Sequence, residues 1–220
     1  MTQDAAPPAT VSRLITYLRA LSQLLAEGVT ITSSETLAGA TDISAFQIRK
    51  DLAYFGTFGT RGSGYDTHLV HRRLREILGL TETYSVAIIG MGRLGQAITD
   101  YPAFGEYGFA IRALFDHDPQ RVGQKFAGVA VSDSRELPRI VAERQVEMAL
   151  ITVPAHAAQQ VTDEVVAAGV TAILNFAPVV LRVPEGVVVE PVDLLAGLKR
   201  LSYHLRGLPV LKPAGRQQPV

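Results

Sequence analysis

Gly90, Gly92 and Gly95, with Met91, Arg93 and Leu94 between them, form a G-x-G-x-x-G run. That spacing suits a turn over which a pyrophosphate can lie. The first glycine permits the tight turn, the second lets backbone N–H groups come close, and the third allows a helix to pack on a strand. A chain with 19 glycines produces loose matches, so the context decides. Here the run directly follows the apolar stretch 84–89 and opens a helical pattern, whose N-terminus adds the positive end of its dipole. Asp116 stands 21 residues beyond Gly95 at the end of a second apolar stretch, where a carboxylate accepts ribose hydroxyls. Alternatively it is a turn residue ahead of Asp118-Pro119. No arginine is among the residues immediately after it, so a 2′-phosphate would be repelled. NADH or NAD is therefore the expected cofactor.

A second chemistry belongs to cations. Between Ser44 and Arg75 the chain holds Arg49, Lys50, Arg61, Arg72, Arg73 and Arg75 against Asp51 and Asp66, a local excess of four positive charges on a chain of zero net charge. Doubled in a dimer, such a patch attracts the DNA backbone. Ser44 and Gln47 open a helix whose start is placed to meet base edges, with Arg49 and Lys50 on its polar side. Ser33 and Ser34, at the mouth of the preceding helix, join the DNA-facing set. Arg61, between glycines at a loop tip, is suited to a minor groove. A solvated helix face beside a glycine loop is the alternative.

Other chemistries are poorly supplied. The chain has no cysteine, which excludes disulfides, thiolate metal sites and thiol redox chemistry. No metal-ligand spacing and no nucleophile–base pair is evident. Of His68, His71, His117, His156 and His204, only His156 has a position suited to a catalytic acid–base; it is otherwise a solvated residue at a helix start. A dehydrogenase or a CoA-ligase-like enzyme would use the same nucleotide turn, but no length remains for a substrate domain. The N-terminal residues have neither a basic segment nor an apolar core, and no apolar run reaches about 18 residues. A cytoplasmic protein without a membrane span is expected.

The elements that must position these groups change character near Thr81. Before it the apolar spacing is helical: Leu14, Leu18, Leu21 and Leu25 form a stripe ended by Gly28. Thr32 with Glu35, and Ser44 with Gln47, have capping-box spacing and open helices over residues 33–39 and 45–55. In the second of these, Phe46, Ile48, Leu52 and Phe55 are core candidates. A glycine-rich hairpin over 56–64 and a helix over 68–78, with Val70, Leu74 and Ile77 inward, complete a winged helix-turn-helix. After Thr81, strands at 84–89, 109–115, 129–131, 148–153 and 170–174 alternate with helices at 93–100, 135–144 and 155–168, as in a parallel sheet covered on both faces. A last helix, 194–205, carries Leu194, Leu198, Leu201 and Leu205 on one stripe with nothing following to cover it. The fold class is α/β: a winged helix-turn-helix over 1–80, a Rossmann-like dinucleotide domain over 81–190, a dimerisation helix over 191–206 and a flexible tail over 207–220. The first ten residues are also expected to be loose.

Segments 12–19 (SRLITYLR), 32–35 (TSSE), 45–56 (AFQIRKDLAYFG), 59–65 (GTRGSGY), 89–95 (IGMGRLG), 175–179 (NFAPV) and 192–198 (VDLLAGL) together resemble the Rex family of redox-sensing transcriptional repressors. The resemblance implies a non-catalytic homodimer that binds an inverted-repeat operator and is released by NADH, its last helix crossing to the partner subunit. It places Arg19, Tyr101 and Asp193 where the nicotinamide redox state is felt. An Arg–Asp pair can respond to the ring, which is cationic in NAD⁺ and neutral in NADH. Solvation for Arg19, packing for Tyr101 and helix capping for Asp193 are the alternatives. Position 194 departs from some family members, which carry an aromatic residue there.

Overall fold

A proline at the first helical position fixes φ and forfeits no intrahelical bond, and Pro8 begins α1 (Pro8–Ala26) within the stretch expected to be loose. The computed structural model describes residues 6–58 and 64–206. α1 ends where Gly28, at φ +80°, allows Val29 N–H to reach back to Leu24 O. Leu14, Leu18 and Leu21 are buried as the stripe requires, but Tyr17 and Leu24 join them and Leu25 is only half-buried. There follow β1 (Ile31–Thr32), α2 (Ser34–Ala40), α3 (Ala45–Tyr54), β2 (Tyr65–Asp66) and α4 (Thr67–Ile77). Their shared core is Leu14, Tyr17, Leu37, Ile48, Leu52 and Leu74. Each fully buried aliphatic side chain contributes about 1.5–3 kcal/mol.

Three expectations for this unit change. Ser33, not Thr32, caps α2, accepting Thr36 N–H at 3.0 Å, while Thr32 lies in β1 with its hydroxyl buried. Phe46 is 69% exposed rather than core. It sits on the side of α3 opposite Ile48 and Leu52, because three or four residues, not two, return a helix to the same face. The glycine hairpin, with Arg61, lies largely outside the described residues. The pairing that is described is β1 with β2, antiparallel, Ile31 opposite Asp66.

The chain divides into two compact units at Glu82 and Thr83. The second contains β3 (Tyr84–Ile89), α5 (Arg93–Thr99), α6 (Ala103–Glu106), β4 (Phe109–Asp116), β5 (Lys125–Phe126), β6 (Val129–Asp133), a 3-10 turn (Ser134–Glu136), α7 (Leu137–Glu143), β7 (Met148–Ile151), α8 (Ala155–Ala167), β8 (Ala172–Asn175), β9 (Val188–Pro191) and α9 (Ala196–Leu205). The sheet order is β5-β6-β4-β3-β7-β8-β9, parallel except for β5. From β6 to β9 this is the doubly wound order, with its reversal between β3 and β7. Alternate residues of β3 feed two cores: Ala87 and Ile89 pack with Phe115 and Ile151, and Val86 and Ile88 with Leu114 and Leu150. Both faces are covered, so the strand reads as a continuous apolar run. β5, β9 and α6 are additions to the elements expected from sequence. β7 stops at Ile151 because Pro154, which N-caps α8, follows so closely. On α9 no residue is buried, and Leu198 and Leu201 are 61% and 58% exposed.

Candidate nucleotide site and nucleic-acid interface

The glycine turn sits at the C-terminal end of β3, beside the reversal point of the sheet, where open α/β sheets bind ligands. Each glycine has a separate steric reason. Gly90 has φ +101°, and a Cβ there would lie 2.8 Å from Val153 Cγ1. A Cβ on Gly95 would lie 2.1 Å from Gly90 O, so only glycine lets α5 approach the turn so closely. A Cβ on Gly92 would meet nothing within 4 Å, because it faces open space. That space is a cavity of about 770 Å³, lined among others by Gly92, Arg93, Leu94 and, across the reversal, Thr152 and His156. Its size is within the range of small-molecule and cofactor pockets.

Beneath the turn lies Asp116, at the end of β4, its side chain 2% exposed. Oδ2 accepts Met91 N–H at 2.7 Å and Arg121 Nη1 at 3.0 Å, and Oδ1 accepts Asp118 N–H at 2.9 Å. Burial, the largest single influence, pushes its pKa up, but the bonds from Asp118, Arg121 and Met91 outweigh it and hold it below the ordinary value. An arginine, five residues on, reaches this carboxylate, which both grips the glycine turn and lines the cavity beside Gly92. Met91 belongs to the turn through its backbone. Its side chain is fully buried, its N–H goes to Asp116 and its carbonyl accepts Gln96 Nε2 at 2.9 Å. Thr152 Oγ1 donates to the carbonyls of Ile89 and Gly90, tying the end of β7 to the turn. Sequence reasoning misses Arg121 and Thr152. The signal for Thr152 is its place at the end of the strand beside the fingerprint strand.

Tyr101 follows α5, 60% exposed, with its ring edge-on to Phe104. Asp193 precedes α9, accepting Lys199 Nζ at 3.0 Å and Leu195 N–H at 2.9 Å, and the lysine bond is the main reason its pKa is lowered. Arg19 is exposed on α1, in the other unit.

On the cationic surface, Ser44 caps α3 by accepting Gln47 N–H at 3.2 Å, as its position predicts. The Gln47 amide does not complete the box. It donates to Asp51 Oδ1 at 2.8 Å. Asp51, buried on the inner face of α3, also accepts Arg13 Nε and Nη2 at 2.6 and 2.7 Å and Tyr17 Oη at 2.7 Å. Burial is again the largest influence and raises the Asp51 pKa, and the bonds from Arg13, Tyr17 and Gln47 together bring it below the ordinary value. This cluster fixes α3 against α1, whereas from sequence Asp51 counts only as an opposing charge. Ser34, expected in the DNA-facing set, is buried in the DNA-free chain. It accepts Arg49 Nη1 at 2.7 Å, and the same nitrogen meets Glu35 Oε1 at 2.8 Å, so α2 orients Arg49. Ser33, as the α2 cap, is half-exposed, and Lys50 is exposed. Arg61 lies outside the described residues.

Among the described residues no cluster of His, Asp or Glu could hold a metal, and no helix is long and apolar enough to cross a membrane. Family models match both halves of the chain: one described as "Putative DNA-binding protein N-terminus" over residues 6–53, and one described as a CoA binding domain over residues 81–179. The redox-sensing transcriptional repressor Rex of Thermus thermophilus is 52% identical over 212 residues, 96% of this chain and 97% of that one. Its counterpart from Streptomyces coelicolor is 49% identical over 199 residues, 90% of this chain and 77% of that one. The crystal structure of RSP in complex with NAD⁺ and operator DNA superposes with a TM-score of 0.88 at 38% identity, covering 92% of this chain and 94% of that one. RSP in complex with NADH gives 0.86 at 37% identity, covering 92% and 95%. The chain belongs to the Rex family of redox-sensing transcriptional repressors.

Proposed function

We propose that this protein is a transcriptional repressor that binds an operator through α3 and is released from it by NADH. The observation that carries this reading is the presence, in one chain, of a capped cationic helix and an open-sided glycine turn, in a family whose member RSP has been crystallised with operator DNA and with NADH. The nucleotide cavity fits a dinucleotide. Gly92 leaves its side of the turn open for a pyrophosphate, with Arg93 and Leu94 beside it, and Gly90, Gly95, Met91 and Asp116 keep the turn in shape. When bound, the nicotinamide supplies only a ring whose charge depends on its redox state. Arg19, Tyr101 and Asp193 respond to that charge, and Asp193 exchanges Lys199 for a new partner as they do. No residue is assigned a catalytic role.

Residues 1–80 bind DNA, residues 81–190 hold the dinucleotide, and residues 191–206 join two subunits. The uncovered leucines of α9 support the homodimer, since an exposed apolar stripe of this kind marks an association surface. Ser33, Ser44, Arg49, Lys50 and Arg61 contact the duplex, and Ser34 and Gln47 serve it by orienting Arg49 and α3. The location is the cytoplasm, where operator and NADH are both present. The test is fluorescence anisotropy of a labelled operator selected by the protein from random duplexes. NADH should release the protein, and NAD⁺ should do so poorly. Binding that ignores both would overturn the reading.

A further inference from the structure

We propose that Phe46 reads the operator by packing against the C5-methyl groups of thymines in the major groove, an assignment that rests on the operator-binding reading above. A large aromatic ring 69% exposed on a short helix offers apolar surface that a partner can cover. Its position says what. Phe46 is the second residue of α3, immediately inside the turn capped by Ser44. The N-terminal residues of the second helix of a helix-turn-helix are those that meet base edges. Arg49 and Lys50, three and four residues on, share its face and are exposed, so the ring is accompanied by cations suited to the phosphates on either side.

Of the two polar residues expected to meet base edges, Gln47 has its amide bonded to Asp51 on the inner side of the helix, and the Ser44 hydroxyl accepts Gln47 N–H as the helix cap. That leaves an apolar surface as the recognition element at the start of α3. The major groove displays one apolar feature, the thymine methyl, and aromatic and aliphatic side chains contact it. The ligand class is therefore A·T base pairs, recognised from the thymine side.

The test removes single methyl groups from the DNA. In the operator selected by the wild-type protein, each thymine is replaced in turn by deoxyuridine, and affinity is measured for wild type, Phe46→Ala and Phe46→Leu. Wild type should lose about fourfold per contacted methyl, equivalent to about 0.8 kcal/mol, at one symmetry-related pair of thymines. Phe46→Ala should bind the thymine duplex more weakly and be indifferent to uracil at that pair, and Phe46→Leu should keep part of the sensitivity. Far-UV circular dichroism and a urea unfolding midpoint unchanged from wild type certify the fold of both variants. Methyl sensitivity equal to wild type in Phe46→Ala overturns the assignment. So does a change in dimer mass without a change in methyl sensitivity, which would give the ring to a subunit contact. If the wild-type protein selects no sequence at all, the operator reading falls before Phe46 is tested.

Discussion

The carboxylate of Asp51 is the residue on which the geometry of α3 depends. It is buried and takes bonds from Arg13, Tyr17 and Gln47, so removing it leaves a buried phenol and a partly exposed guanidinium without their acceptor. Breaking such a group by deleting one partner costs about 3–5 kcal/mol when fully buried. With Arg13 partly exposed, Asp51→Ala should cost about 3 kcal/mol in urea unfolding. Its folded pKa lies below the unfolded value of about 3.9. The stabilisation is therefore complete above that value and is lost as pH falls through the folded pKa. Acid unfolding of Asp51→Asn should show a shallower pH dependence there, and an unchanged profile would contradict it. Sequence periodicity already carries part of this result. Ile48, Leu52 and Phe55 define an inner face of α3 on which position 51 also falls. That Arg13 would meet it from 38 residues away could not be read, because such a pairing depends on how two helices pack.

At the scale of elements, the strand–turn–helix around the fingerprint was legible because everything needed is contiguous: an apolar run, three glycines and a helical pattern. The Arg121–Asp116 pair was not, since only the fold of the intervening turn brings the guanidinium back. The exposure of Phe46, by contrast, follows from helical spacing once Ile48, Leu52 and Phe55 set the inner face, because position 46 then falls on the other side. The turn yields a paired prediction. Gly92→Ala adds a methyl to open space, so stability should be nearly unchanged, whereas NADH affinity should fall at least tenfold as the methyl meets the pyrophosphate. Gly95→Ala drives its methyl into the Gly90 carbonyl and should lower stability by about 1–3 kcal/mol. Thermal melts with and without NADH separate the two, and a Gly92→Ala protein binding NADH like wild type would remove the turn from the site. For α9, Leu198→Lys or Leu201→Lys should dissociate the proposed homodimer and abolish high-affinity operator binding, as read by light scattering and anisotropy. Dimers intact in both variants would place the subunit contact elsewhere.

The whole molecule must couple two ligands that occupy different units. A ligand shifts an equilibrium between DNA-competent and released dimers only through its differential affinity for the two. Moving the population from 1:99 to 99:1 takes about 5.5 kcal/mol. In the proposed homodimer, two NADH molecules would each supply about 2.7 kcal/mol, within ordinary coupling energies. Linkage is reciprocal, so operator DNA must weaken NADH binding by the factor with which NADH weakens operator binding. Asp193→Ala should reduce that factor while each ligand still binds alone. The most direct measurement is an NADH titration of the wild-type protein, by calorimetry, with and without a saturating operator duplex. A redox-sensing repressor requires NADH affinity to fall in the presence of the duplex, by the same factor found for operator affinity with saturating NADH. Identical NADH affinities in the two titrations would contradict it and leave a DNA-binding protein whose nucleotide fold is idle.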